Sequence, residues 1–186
     1  DRLSLIEADA QESPIWEFGT APRRIIANLP YNIATTLLIR WLAHAAAFES
    51  MTLMFQREVA ERITARPGDP AYGRLSVLTG YYADAEILFD VPAEAFVPAP
   101  KIMSSVVQIV PLAQPRFDCS VQALELITRT AFGQRRKMLR SSLKKINGEQ
   151  LLAAAGIDPK ARPQQLDIES FCKLARQFEA IGTAVP

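Results

Sequence analysis

Through the first two thirds of the chain, short runs of β-branched and apolar residues alternate with apolar residues at helical spacing, and this alternation restricts the fold more than any other feature. It is the pattern of an α/β sheet with crossover helices. Strands are expected at Leu3–Glu7, Arg24–Ala27, Met51–Phe55, Glu86–Phe89 and Ser105–Val110, and helices at Ile33–Ala46, Val59–Ala65 and Leu75–Tyr82. No long helix separates the last two strands, so an antiparallel hairpin should close the sheet. From Ser120 onward the pattern is helical only: Val121–Phe132, Gln134–Ile146, Gly148–Ala155 and Ile168–Ile181, broken at Asn147-Gly148, Asp158-Pro159 and Arg162-Pro163. The expected division is a sheet domain over 1–114 and a small all-helical domain over 115–186.

Composition narrows the classes. The 186 residues are 49% hydrophobic and 22% charged, as in an ordinary globular protein. No run reaches the roughly 18 apolar residues of a membrane span, and the first ten residues lack the layout of a secretory signal, so no membrane association and a cytoplasmic location are expected. Cys119 and Cys172 lie far apart without metal-ligand spacing, which predicts reduced structural thiols and no metal. The net charge of +1 hides an uneven distribution: Thr130–Gly148 holds no acidic residue but contains Arg135, Arg136, Lys137, Arg140, Lys144 and Lys145.

The most informative residues are Asn28, Leu29, Pro30 and Tyr31, where a strand ends and a helix begins. Ligands of open α/β sheets bind at the carboxyl ends of strands. An adenine amino group is a poor nucleophile, because its lone pair is delocalised into the ring. A catalyst must hold both of its N–H groups and aim it at a methyl donor. The Asn28 side-chain oxygen supplies one acceptor and the Leu29 carbonyl the other, with Pro30 restricting Leu29 to an extended conformation. Tyr31 supplies a stacking plate, worth roughly 1–3 kcal/mol against the cost of extracting a base. A strand-ending turn with a packed tyrosine is the plainer alternative.

Asn28-Leu29-Pro30-Tyr31-Asn32-Ile33 resembles the catalytic motif of the KsgA family of rRNA adenine dimethyltransferases, related to the erythromycin-resistance methylases and the mitochondrial transcription factor B proteins. The segments Phe55–Arg62, Tyr72–Val77, Phe96–Lys101 and Phe132–Lys137 resemble further family segments in the same order. The resemblance implies a Rossmann-like methyltransferase sheet with a C-terminal helical domain that binds RNA. It also implies S-adenosylmethionine as donor and dimethylation of N6 of adjacent adenosines in a small-subunit rRNA hairpin during ribosome biogenesis. The partner would be small-subunit rRNA or the pre-30S particle, and the protein a monomer. Two alternatives stay open: a non-catalytic RNA-binding or ribosome-assembly factor, and an erythromycin-resistance-type methylase of large-subunit rRNA.

The resemblance assigns donor binding to Asp9, with its neighbour Ala10, and to Asn28; an exposed loop aspartate is the alternative for Asp9. Phe96 would stack on the target base opposite Tyr31, or else pack in the core. The family's glycine-rich donor turn lies upstream of anything resembling Asp1, so the chain is expected to be part of a longer product, to carry an incomplete sheet, and to be inactive by itself. Where the family usually has an acidic residue two positions after Lys101, this chain has Met103, and neither Met103 nor Ser104 receives a role. In the expected helix Gln134–Ile146, Arg136, Arg140 and Lys144 recur every four residues and should share one face. With Arg135 and Lys137 they suit a phosphate backbone, or form a solvated charged face. Arg57 and Lys101 are further RNA-binding candidates. His44 lies in an alanine-rich helical stretch with no partner expected nearby, which predicts a structural or surface histidine and not an acid–base group.

Overall fold

The computed structural model describes residues 3–98 and 102–183, and its sheet starts from the strand that leads into Asn28. β1 (Arg24–Asn28) runs parallel to β2 (Ser50–Gln56), with Asn28 opposite Met54. Parallel neighbours need a crossover, and α1 (Tyr31–Leu42) provides it. Pro30 caps the start of α1 at φ −56° and ψ 127°, and the helix buries Ala34, Leu37, Leu38, Trp41 and Leu42, all on one stripe.

β4 (Ser104–Pro111) pairs antiparallel with both β2 and β3 (Ala83–Val91), giving the order β1-β2-β4-β3. Met51, Leu53 and Phe55 stand opposite Ile109, Val107 and Ser105; all six are buried and share one face of the sheet. Because Gln56 and Val91 both lie opposite Ser104, the carboxyl ends of β1, β2 and β3 and the amino end of β4 reach one rim. In β3 the register jumps from Ile87 opposite Val107 to Phe89 opposite Val106, so Leu88 forms a bulge.

The chain forms two compact units, Asp1–Ala60 with Ala83–Gln114, which holds the sheet, and Glu61–Tyr82 with Pro115–Pro186. The division falls inside α2 (Arg57–Thr64). The second unit contains α3 (Arg74–Tyr82), α4 (Val121–Phe132), α5 (Leu139–Ser142), α6 (Gly148–Ala155) and α7 (Ile168–Thr183). Its core gathers Tyr72, Leu124, Ile127, Leu139, Phe171 and Leu174, with Phe132 set between the rings of Tyr72 and Phe171. The Ser120 hydroxyl accepts the Ala123 N–H at 3.3 Å and caps α4. Position 148 admits only glycine without rearrangement: a Cβ there would lie 2.7 Å from the Leu143 Cβ and 2.8 Å from its carbonyl carbon. Cys119 and Cys172, distant in sequence, are free thiols in mutual hydrogen-bonding contact; that contact lowers the pKa of Cys119 and, with burial, raises that of Cys172.

Two expected elements differ. Leu3–Glu7 forms no strand, and Leu3, Leu5 and Ile6 are 82%, 93% and 56% exposed. A strand persists only with a hydrogen-bonded neighbour, and among the described residues nothing pairs with this segment. Gln134–Ile146 is not one helix. Gly133 ends α4, Met138 is extended at ψ 151°, α5 makes a single turn, a 3-10 turn covers Lys144–Ile146, and Asn147 is left-handed at φ 57°. The spacing that suggested a helix serves a broken path equally well, since Leu139 and Leu143 are fully buried by it.

Candidate functional site

The corner after β1 places its groups by backbone geometry. Asn28 ends the strand and is exposed, and its side chain makes no hydrogen bond among the described residues. Leu29 belongs to neither β1 nor α1, so its carbonyl is not committed to a ladder of either; the Pro30 carbonyl instead accepts the N–H groups of Ile33 and Ala34, each at 3.1 Å. Tyr31 is the first residue of α1 and is half-buried. These four residues, with Phe96 and Pro98, line an open cavity of about 380 Å³. That volume lies within the range of small-molecule sites. Phe96 follows the 3-10 turn Ala93–Ala95 in extended conformation, half-buried.

The rim behind the cavity is tied by hydrogen bonds. Tyr31 Oη and Ser104 Oγ lie 2.5 Å apart, and either hydroxyl can donate. Ser105 Oγ donates to Asp90 Oδ1 at 2.6 Å, and Arg57 Nη1 donates to Asp90 Oδ2 at 2.6 Å. The Arg57 backbone N–H donates to the Met103 carbonyl at 2.9 Å, and its guanidinium also reaches the Met103 sulfur at 3.4 Å. Arg57 is therefore held, with its side chain still 48% exposed.

Asp9 and Ala10 are exposed and do not line this cavity. Asp9 organises a turn: its Oδ1 accepts the Gln11 N–H at 2.7 Å, while its carbonyl accepts from the Ser13 N–H and hydroxyl. Its other carboxylate oxygen makes no hydrogen bond among the described residues. The segment is pinned further on, where Trp16 stacks on His44 at 3.7 Å and lies 5.1 Å from the Arg40 guanidinium. His44 thus has a packing partner.

In the helical unit Lys137, Arg140 and Lys144 line a second cavity of about 750 Å³, together with Ser141 and the Asn147–Gln150 segment. The helix break corrects the expected row of Arg136, Arg140 and Lys144: Arg136 is exposed but outside this lining, and Lys137 takes its place. Arg135 turns the other way, donating to the carbonyls of Asp69 and Pro70, and so clamps a turn of its own unit. Lys101 lies outside the described residues.

Residues 3–180 match the family model described as ribosomal RNA adenine dimethylase. The chain belongs to that family. It is 53% identical over 183 residues to the ribosomal RNA small subunit methyltransferase A of Rhodospirillum rubrum, covering 98% of this chain and 64% of that relative. It is 57% identical to the protein of the same name from Bartonella tribocorum, over 94% of this chain and 65% of the relative. The chain thus spans somewhat less than two thirds of these relatives. A dimethyladenosine transferase from Plasmodium falciparum shares the fold with a TM-score of 0.75 at 23% identity, over 95% of this chain and 72% of that one. The 23S rRNA methyltransferase ErmE shares it at a TM-score of 0.63, also at 23% identity, over 94% and 71%. For this family member the Rossmann-like sheet with helical partner elements is the expected architecture.

Sequence reasoning left out Ser104, Ser105 and Asp90. The signal for the two serines was a pair of small polar residues opening a mostly apolar strand, since a buried hydroxyl is costly unless something bonds it; Asp90 carried no such signal.

Proposed function

We propose that the protein to which this chain belongs transfers methyl groups from S-adenosylmethionine to N6 of adjacent adenosines in a small-subunit rRNA hairpin, acting as a cytoplasmic monomer on rRNA or the pre-30S particle. The observation that carries this reading is the open cavity bounded by Asn28, Leu29, Pro30, Tyr31 and Phe96 at the sheet rim. The names of the relatives support the small-subunit substrate over the large-subunit one.

A flipped adenine enters between Tyr31 and Phe96. The Asn28 oxygen and the Leu29 carbonyl accept its two amino hydrogens, which turns the nitrogen lone pair out of conjugation and toward the donor. Pro30 keeps Leu29 in the orientation this requires. No side-chain base is needed, because one of the amine's own protons leaves to solvent once the nitrogen has taken the methyl group and the sulfur has left as a neutral thioether. S-adenosylmethionine fits what the chain presents: Asp9 offers a free carboxylate oxygen to the donor's adenine amine, Ala10 its neighbouring backbone, and Asn28 an uncommitted amide. When bound, the donor supplies a methyl group on a positively charged sulfur. The helical region 115–186 holds the RNA backbone through Lys137, Arg140 and Lys144, with Arg57, Lys101, Arg135 and Arg136 as additional contacts.

The test uses the product of the complete reading frame, labelled donor and undermethylated small ribosomal subunits. Asn28→Ala should lower methyl incorporation about 100-fold or more, as removal of one organising polar group does in other active sites, while RNA binding stays nearly intact. Equal loss of both would remove Asn28 from the chemistry.

A further inference from the structure

Of the two plates that bound the cavity, only Tyr31 has a polar end, and that end is occupied. Its hydroxyl meets Ser104 Oγ at 2.5 Å, across 73 residues of sequence. Ser104 is fully buried at the amino end of β4, opposite Gln56 on one side and Val91 on the other, so three strands fix its position. Successive strand residues face opposite sides of a sheet. Ser104 therefore serves the face that meets Tyr31, while Ser105 serves the other and holds Asp90, which holds Arg57.

A tyrosine ring at the first position of a helix has two rotatable side-chain bonds, and anchoring the far end of the ring restrains both. We infer that Ser104 is a positioning residue: it locks the Tyr31 ring as a preformed plate, so that a base entering the cavity stacks in one orientation with its amino group at Asn28 and Leu29. Phe96 has no such tether and takes up the base from the other side. The inference rests on the methyl-transfer reading of the same cavity. A plate held in advance removes an ordering cost from the reactive complex, and catalysis depends steeply on such placement.

A double-mutant cycle tests this, with the complete gene product and undermethylated small subunits. Ser104→Ala should lower kcat about five- to tenfold, the size of one lost hydrogen bond, with a smaller change in KM for RNA. Tyr31→Phe, which removes the bond from its exposed side and keeps the ring, should do the same. The double variant should be no slower than either single one. Multiplicative losses, or wild-type kcat in Ser104→Ala, overturn the inference while leaving the methyl-transfer reading standing. Should Ser104→Ala fail to fold, wild-type kcat in Tyr31→Phe is enough to overturn it. A parent protein that transfers no methyl group defeats the methyl-transfer reading and this inference with it.

Discussion

The cavity at the sheet rim and the cavity of the helical unit are built on opposite principles. At the sheet rim the groups are fixed by what cannot move: a strand end, a proline, a carbonyl outside both ladders, and a tyrosine tethered to a buried serine. In the helical unit three long cationic side chains, Lys137, Arg140 and Lys144, share the lining with Ser141, the left-handed Asn147 and the carboxylate of Glu149, on a stretch that buries Leu139 and Leu143. The first arrangement suits discrimination, because an adenine amine must meet two acceptors at fixed places. The second suits attraction, because flexible ammonium and guanidinium groups follow a phosphate chain without requiring one geometry.

That contrast is open to attack, beginning where the effect should be greatest. Phe171→Ala removes a fully buried ring from the helical core and should lower the free energy of unfolding by about 3–5 kcal/mol in urea titrations. A loss well below that would mean the helical platform repacks easily, and the cationic cavity would have no firm base. Next, replacing Lys137, Arg140 and Lys144 together by glutamine should flatten the dependence of log affinity on log salt by about 2, three contacts at roughly 0.7 each for single-stranded RNA. An unchanged slope would mean that these cations are merely solvated. Arg24→Gln lies at the small end: it breaks a 2.7 Å pair with Glu49 whose side chains are 63% and 44% exposed and screened by water, and should leave both the melting temperature and the RNA salt slope unchanged. A shift in either would extend the sites beyond the residues named above.

The legibility of the chain followed the range of its interactions. The path through Asn28, Leu29, Pro30 and Tyr31 could be read directly, because a strand end, a proline and a helix start are local events. The antiparallel β3–β4 pair could be read from the missing helix between two strand patterns. Ser104 could not, since its partner depends on a register that brings together residues 73 apart. The break between Gln134 and Ile146 was hidden for a different reason: three apolar residues at spacings of four and three are satisfied by a helix or by a turn, an extended residue and another turn. Leu3–Glu7 has strand composition, but strand formation needs a neighbour that composition does not reveal.

The extra residue at Leu88 changes what the margin of the sheet presents. Among the described residues β3 is an outer strand, and it carries three consecutive apolar side chains, Ile87, Leu88 and Phe89, each more than a third exposed. A straight outer strand of that kind is a template on which another chain can lay its own backbone. With the spacing of its N–H and C=O groups interrupted in mid-strand, β3 offers an incoming strand no continuous row to match. A greasy margin is thereby made a poor starting point for fibres, without a single charge being placed among those three residues.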